Sequence, residues 1–137
     1  MTYSEALDWL EQVGRGGSRL GLDRVRAYLT RLGGPQDQIP MIHVAGTNGK
    51  GSVSACLSAI LTQAGYRVGL YTSPHLDRFN ERFRIRGEEI SDAAFADLVS
   101  QGRAVWETME DKPTEFEVIT ALAFLYFAQS ACALVVL

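Results

Sequence analysis

The sequence predicts an α/β fold, with a parallel sheet and flanking helices. The first observation is the order of a short apolar run at residues 39–45, a glycine-rich loop, a helix-forming stretch, and a second apolar run at residues 66–72. Strand, loop, helix and strand in that order form one βαβ unit, whose crossover should be right-handed. The second observation is the uncharged run 118–137, which Gln129 and Ser130 divide into a helix-forming part and the β-branched segment "ALVVL". Such a segment is typical of a buried parallel strand.

Length and composition limit the class of protein. The 137 residues are 47% hydrophobic and 21% charged, which describes an ordinary globular domain or part of one. A net charge of −3 gives no basic footprint, so we expect no nucleic-acid partner. Glu5 and Asp8 interrupt the N-terminal segment, so no secretory leader is expected. The run 118–137 is long enough to span a bilayer, but its central polar pair favours a turn, and we expect no membrane partner.

The cysteines and tryptophans are expected to be packing residues. Cys56 and Cys132 are too few for a disulfide framework. Each lies in an apolar stretch, so both are expected to be small buried side chains in a reducing, cytoplasmic compartment. Trp9 and Trp106 are likewise expected in the core.

Two helices are predicted in the N-terminal part. Thr2 and Glu5 have the spacing of a capping box, which predicts a helix from about Tyr3 to Gln12. A loop at residues 14–21 leads to a second helix at residues 22–33. The apolar face of this second helix would consist of Leu22, Val25, Leu29 and Leu32.

The region after the βαβ unit is predicted to form a loop, a minor strand and two helices. The minor strand would lie at Phe83–Arg86, and Ser91 would cap a helix that ends near Met109. Thr114 and Glu117 repeat the capping-box spacing and open a helix that is apolar on all sides and therefore buried. Ligands in open α/β sheets bind at the carboxyl ends of strands, so the glycine-rich loop and the loop after residue 72 should open on one edge.

The glycine-rich loop, "HVAGTNGKGSV" at residues 43–53, departs from the standard nucleotide loop G-x-x-x-x-G-K-[ST]. Val44 stands where the first glycine would be, and Gly51 separates Lys50 from Ser52. Its glycines still allow a phosphate to approach the backbone amides at the start of a helix. Lys50 would supply a cation for the β- and γ-phosphates, and Ser52 a hydroxyl for phosphate or magnesium. The alternative is a glycine-rich turn with an incidental lysine.

Several motifs together resemble one enzyme family. "GTNGKGS" resembles the ATP loop of the Mur ligase superfamily of ADP-forming amide ligases. "LGLDRV", "HVAGTNGKGSV", "GLYTSPHL", "FNER" and "TEFEVITALAFLYFA" occur in the order and approximate spacing of folylpolyglutamate synthase and dihydrofolate synthase. The resemblance implies that residues 1–137 are the N-terminal part of the ATP-binding domain. The remainder of that domain, with further metal-binding residues and a carbamylated lysine, and a C-terminal domain would lie outside them.

The resemblance also implies a set of site residues. ATP would be held by Gly46, Thr47, Asn48, Gly49, Lys50, Gly51 and Ser52, with Lys50 as the catalytic cation, and Ser73 would bind the accompanying Mg²⁺. The pterin-bearing substrate would contact Arg19, Leu20, Gly21 and Leu22, and also Thr114, Glu115, Phe116 and Glu117. Phe116 would stack on a flat ring, and Arg82 would meet a phosphate or carboxylate.

Each of these assignments has an ordinary structural alternative. Ser73 precedes a proline and would suit a turn, residues 19–22 enter a helix, and residues 114–117 already make sense as a helix cap. Arg82 would equally suit a solvated surface position. His43 and His75 lie far apart in sequence, without a carboxylate or cysteine cluster, so we expect them to support the structure or the site residues and not to bind metal.

The activity that the resemblance implies is ATP-dependent amide formation. ATP would phosphorylate a carboxylate of folate or dihydropteroate, and the amino group of L-glutamate would attack the acyl phosphate. The alternatives are a cell-wall Mur ligase, against which "FNER" and "TEFE" argue, and a nucleotide-binding module that ligates nothing. We expect the intact enzyme to be monomeric. Residues 1–137 alone are expected to be inactive and to self-associate, because the last strand and the apolar helix would be incompletely covered.

Overall fold

The computed structural model describes residues 1–75 and 77–137, and it confirms the α/β class. Two compact units are present, one formed by residues 1–36 and 92–126 and the other by residues 37–91 and 127–137. The helices are α1 Tyr3–Gly14, α2 Asp23–Arg31, α3 Lys50–Gln63, α4 Asp92–Trp106 and α5 Glu115–Gln129, with short 3₁₀ turns at Pro35–Asp37 and Phe79–Arg82. The strands are β1 Met41–Ile42, β2 Val68–Tyr71, β3 Phe83–Ile85, β4 Glu88–Glu89 and β5 Leu134–Val136.

Both predicted capping boxes are present and set the starts of their helices. The Thr2 amide donates to Glu5 Oε2 at 2.6 Å, and the Glu5 amide donates to Thr2 Oγ1 at 3.2 Å. The bond from the Thr2 backbone lowers the pKa of the Glu5 carboxyl. At the start of α5, the Thr114 amide donates to Glu117 Oε1 at 2.9 Å, and the Glu117 amide to Thr114 Oγ1 at 3.3 Å. Reciprocal bonds of this kind satisfy amides that have no partner inside the helix.

The unit formed by residues 1–36 and 92–126 contains α1, α2, α4 and most of α5, and we call it the helical unit. In this unit, the buried face of α2 differs from the one predicted. Tyr28 and Leu29 are buried, but Leu22 precedes the helix and is 59% exposed. The Tyr28 hydroxyl donates to the Gly102 carbonyl at 2.8 Å, and burial raises the pKa of that hydroxyl. A Cβ atom at Gly102 would lie 2.6 Å from Leu122 Cδ2, so the missing side chain allows α2 and α5 to approach α4 closely.

The remaining predictions for packing residues are mostly confirmed. The rings of Trp9 and Trp106 meet edge to face, with their centroids 5.5 Å apart. Cys132 is buried as predicted, whereas Cys56 lies exposed on α3, so that part of the prediction is wrong. Helix α5 is buried over most of its length, which also corrects the expectation that its apolar face would be uncovered.

The run 118–137 consists of the end of helix α5, a turn and strand β5. Across residues 1–75 and 77–137, we find no helix with both the length and the apolar character that a membrane crossing requires.

The sheet has the order β1-β5-β2-β3-β4 and is mixed. Strands β1, β5 and β2 are parallel, as predicted, while β3 and β4 pair antiparallel with their neighbours. The described residues between β2 and β3 form one 3₁₀ turn and no α-helix, and such a connection favours an antiparallel return. Strand β5 is paired on both sides, so the expectation that it would leave an uncovered edge is wrong.

Helix α3 and the end of α5 contact the sheet in the second unit. Val68, Leu70 and Val136 form a buried cluster, against which Val44, Leu57, Leu61 and Leu134 pack. The hydrogen bonds between β1 and β5 continue past the ends of the two strands. The Leu137 amide donates to the Ile42 carbonyl at 2.9 Å, and the Val44 amide donates to the Leu137 carbonyl at 2.6 Å. These bonds fix the direction in which the chain enters the glycine-rich loop.

Replacing Gly69 of β2 with alanine should destabilise this unit. The new Cβ atom would lie 2.6 Å from Cδ1 of Phe127, a fully buried ring that has little freedom to move. Overpacking of this kind costs about 1–3 kcal/mol, which urea unfolding measures. Gly51→Ala is the matched control, since no atom of the other described residues lies within 4 Å of its Cβ position. Equal stability of the two variants would contradict the close packing of Gly69 on Phe127.

Candidate functional site

The glycine-rich loop lies at the carboxyl edge of the parallel strands. Strands β1, β5 and β2 run in one direction, so the residues that follow them leave the sheet at the same edge. The loop 43–49 follows β1, and residues 72–74 follow β2. The sheet therefore places on one edge the two segments that the sequence predicted there.

The first turn of α3 presents backbone amides without a side-chain cap. Gly49 is the N-cap residue, with a φ of 75°, and within residues 1–75 and 77–137 no side chain caps the helix start. Gly46 also has a positive φ, of 149°, so both positions favour glycine. The loop residues Thr47, Asn48, Gly51 and Ser52 are all exposed. An exposed helix start with free amides is suited to bind an anion such as a phosphate.

Lys50 is available to such an anion. Its side chain passes over Gly46, where an added Cβ atom would lie 4.0 Å from Lys50 Cγ. Lys50 is exposed and makes no hydrogen bond or ion pair with another residue in the described part of the chain. The other lysine, Lys112, is fully engaged, because its Nζ donates to the carbonyls of Trp106, Glu107 and Met109 at 3.2, 3.3 and 2.7 Å.

A cavity of about 620 Å³ brings the start of α3 together with the loop after β2. Its lining includes Gly51, Ser73 and Pro74 and, on the β3–β4 hairpin, Arg84 and Arg86. The volume lies in the range of small-molecule sites. Ser73 therefore opens into the same space as the glycine-rich loop, which supports its predicted place in the site.

The residues near this cavity suit Mg²⁺ that arrives with a nucleotide. Ser52 and Ser73 are exposed and offer neutral hydroxyls. Glu81 also lines the cavity, but its Oε2 already accepts bonds from the Asp77 and Arg78 amides at 2.9 and 2.8 Å. Among the residues that the structure describes, no three His, Cys, Asp or Glu side chains cluster to hold a metal. Mg²⁺ keeps several waters and takes phosphate oxygens, so one or two hydroxyls fit a metal–nucleotide complex.

Arg82 is not a solvated surface residue. Its Nε donates to His75 Nδ1 at 2.9 Å, and its guanidinium carbon lies 4.7 Å from the centroid of the Phe79 ring. The Arg82 carbonyl accepts a bond from the Thr72 amide at 3.3 Å, directly before Ser73. Phe79 was missed by the sequence analysis because nothing in its spacing marks it. His43, by contrast, is exposed and has no side-chain partner among the described residues.

The two segments predicted to contact a substrate are joined in the helical unit by Arg24. Arg24 Nε donates to Glu117 Oε1 at 3.1 Å, and both side chains are at least 90% buried. The Nη2 atom of Arg24 donates to the carbonyls of Arg19 and Leu20 at 3.0 and 3.3 Å. Sequence reasoning missed Arg24, because an arginine in a helix is usually solvated. Burial of its charge is offset here by Glu117, which is distant in the sequence.

The most exposed large side chains of segments 19–22 and 114–117 are apolar. Leu20, Leu22 and Phe116 are 98%, 59% and 63% exposed, although they are large and hydrophobic. The polar members are engaged within the unit. Thr114 and Glu117 cap α5, Glu115 lies against Gly14, and Arg19 pairs with Asp111 at 2.7 Å. Gly21, with a φ of 105°, lies between the two exposed leucines.

Comparison with known proteins gives a consistent result. No protein-family model matches the chain. The chain is 44% identical over 131 residues to dihydrofolate synthase/folylpolyglutamate synthase of Bacillus subtilis (strain 168), and the match covers 93% of this chain and 30% of that relative. It is 42% identical over 134 residues to folylpolyglutamate synthase of Lacticaseibacillus casei, with 94% of this chain and 31% of the relative covered.

A solved FPGS–AMPPCP–folate complex has the same fold. It superposes with a TM-score of 0.92 at 40% sequence identity, over 100% of this chain and 35% of the other. The chain thus spans about 30% of the length of the curated relatives described above.

Proposed function

Because the chain belongs to the family of folylpolyglutamate and dihydrofolate synthases, we propose that the protein carrying it is an ATP-dependent ligase that adds L-glutamate to folate or dihydropteroate. We assign the chain to the ATP-binding domain of that ligase. The observation that supports this assignment most directly is the uncapped start of α3 beside Lys50, which has no side-chain partner among the described residues. A relative of the same fold forms a complex with AMPPCP and folate, one an ATP analogue and the other a candidate substrate.

The proposed reaction has two steps. The γ-phosphoryl group of ATP passes to a substrate carboxylate, which gives an acyl phosphate and ADP. The amino group of L-glutamate then attacks the acyl carbon, loses a proton, and displaces inorganic phosphate. The amides of Gly51 and Ser52 and the ammonium group of Lys50 would hold the phosphates and stabilise charge that develops on them. Mg²⁺, held by Ser73 and Ser52 with the nucleotide, would neutralise phosphate charge.

The exposed apolar side chains of the helical unit suit the pterin-bearing substrate. A pterin ring is flat and largely uncharged, and it gains from stacking on an aromatic face. Phe116 offers such a face, since it is 63% exposed and lies in the first turn of α5. Leu20 and Leu22 add apolar surface on the loop that Arg24 anchors. A bound substrate would cover the exposed side chains of Leu20, Leu22 and Phe116.

Replacing Phe116 with alanine should raise KM for the folate substrate about tenfold and leave KM for ATP nearly unchanged. Loss of a stacked ring removes on the order of 1 kcal/mol beyond the buried area. The exposure of Phe116 implies that the melting temperature will not change. Phe116→Tyr, which keeps the ring, is the control. An equal rise in both KM values with a lower melting temperature would show that Phe116 is a packing residue.

Release of ADP distinguishes the proposed ligase from its alternatives. The ligase should release ADP over many turnovers only when both L-glutamate and folate or dihydropteroate are present, because the acyl phosphate is consumed only by glutamate. A cell-wall ligase would instead require a UDP-sugar substrate, and a nucleotide-binding module would show no dependence on either co-substrate. Steady-state ADP release at an equal rate with and without glutamate would contradict the proposed reaction.

The state of the cysteines supports a reducing, cytoplasmic setting for this protein. Both cysteines are free, and Cys56 exposes its thiol on α3. Cys132 is buried, and burial raises the pKa of its thiol, so it is poorly reactive.

A further inference from the structure

We propose that His75 is a positioning residue for Arg82, and that Arg82 binds an oxyanion of a ligand beside Ser73. The oxyanion would be a phosphoryl oxygen of ATP or a carboxylate of the folate-type substrate. This inference rests on the proposed ligase function, because that function supplies both ligands.

The hydrogen bond between Arg82 and His75 fixes which atom of His75 faces Arg82. An arginine Nε can only donate, so His75 Nδ1, at 2.9 Å, must accept. A histidine that accepted no bond here would leave the Arg82 guanidinium free to rotate about its long side chain.

Phe79 holds the pair from a second direction. The His75 ring lies 5.1 Å from the Phe79 ring, and the guanidinium of Arg82 lies over the same ring at 4.7 Å. Phe79 in turn stacks at 6.5 Å on Phe83, which is buried in β3. The plane of the guanidinium is thus set by a hydrogen bond at its edge and by an aromatic ring at its face.

This arrangement leaves the two terminal amino groups of Arg82 for a ligand. Neither Nη atom donates to a residue within 1–75 or 77–137, although Arg82 is half-buried. Arg84 is different, because its three nitrogens donate to the Glu81 and Gly87 carbonyls and to Glu89. A partly desolvated fork of donors matches the paired oxygens of a carboxylate or phosphate. The Arg82 carbonyl accepts a hydrogen bond from the Thr72 amide, and this bond keeps Arg82 next to the loop that carries Ser73.

Two substitutions of His75 separate hydrogen bonding from stacking. His75→Asn places an acceptor near the position of Nδ1 and removes the ring, while His75→Phe keeps the ring and removes the acceptor. In the full-length protein, His75→Phe should raise one KM about tenfold, the expected loss for a bond to a charged group, with kcat little changed. His75→Asn should stay within about threefold of wild type. The KM that rises, for ATP or for folate, identifies the source of the oxyanion.

The outcomes that overturn the inference are specific. If His75→Phe equals wild type, or if His75→Asn is as impaired as His75→Phe, the bond to Arg82 has no positioning role. In an Arg82→Ala background, His75→Phe should add nothing, because both changes remove the same interaction. A further tenfold loss in that double variant would mean that His75 acts independently of Arg82.

Measurements without turnover separate this inference from the proposed function. Calorimetric titration of the full-length wild-type protein with AMPPCP and, separately, with folate tests the function, and binding of neither would contradict it. If wild type binds both and His75→Phe binds both equally, only the present inference fails. Nitrogen-15 NMR of the wild-type histidines gives a readout that needs no variant. A protonated Nδ1 in His75 would overturn the proposed geometry.

Discussion

Replacing Lys50 with alanine is expected to lower kcat/KM for ATP-dependent ligation by at least about 10³-fold in the full-length protein. Lys50 reaches over Gly46 toward the start of α3 and has no partner in the described part of the chain, so its charge is available to phosphates. The loss should persist at saturating ATP, because the lysine would stabilise charge in phosphoryl transfer as well as bind the nucleotide. ADP release under single-turnover conditions measures the effect.

The controls for Lys50 use the same residue and the other lysine. Lys50→Arg keeps the charge and should retain more activity than Lys50→Ala, although the bulkier group fits the loop less well. The melting temperature should not change in either variant, since the side chain of Lys50 makes no bond to any residue that the structure describes. Lys112→Ala should lower the melting temperature, because it removes three bonds to backbone carbonyls. Normal turnover by Lys50→Ala at saturating ATP would refute the assignment of this loop.

Replacing Arg24 with alanine should destabilise the protein by about 3–5 kcal/mol. The change would leave the Glu117 carboxylate buried without its cation and would release the carbonyls of Arg19 and Leu20. A loss of this size corresponds to a fall in melting temperature on the order of 10 °C, and urea unfolding gives the free energy directly. KM for the folate substrate should also rise, because the loop that carries the exposed leucines loses its anchor.

The matched control is Arg19→Ala. Arg19 pairs with Asp111 at 2.7 Å, a shorter distance than the 3.1 Å of the buried pair, but its side chain and that of Asp111 are 52% and 60% exposed. An exposed pair contributes about 0–1 kcal/mol, so burial and not distance should decide the outcome. The double variant Arg24→Met, Glu117→Leu should recover much of the lost stability, since it leaves no unpaired charge. Equal effects of Arg24→Ala and Arg19→Ala would contradict this account.

The sequence predicted features that depend on neighbouring residues. Both capping boxes are local patterns of four residues, and both helices begin where those patterns place them. The turn at Gln129 and Ser130 separates helix from strand as predicted, and the resemblance to folylpolyglutamate and dihydrofolate synthases is confirmed. The glycine-rich loop lies between a strand and a helix, as its composition indicated.

Features that depend on distant partners were not predictable from local patterns. The burial of Arg24 requires Glu117, and the hydrogen bond of His75 requires the 3₁₀ turn that brings Arg82 back to it. The exposure of Cys56 could not be read from its apolar surroundings, because periodicity indicates a face of a helix but not how much of that face is covered. The hairpin β3–β4 was likewise seen only as a minor strand.

The position of β5 has a consequence for the order in which the protein folds. Strands β1 and β2 flank the nucleotide loop helix in sequence, yet neither pairs with the other, because β5 lies between them. Met41 cannot pair until Val135, which lies 94 residues later in the sequence (135 − 41), has been made. During synthesis the loop and its helix would therefore leave the ribosome before β5 exists to join β1 to the rest of the sheet. Pairings between such distant segments are slow to form. A ribosome-bound chain that has not yet exposed β5 should therefore bind nucleotide no better than an unfolded one, and β1 would be open to chaperones throughout that interval.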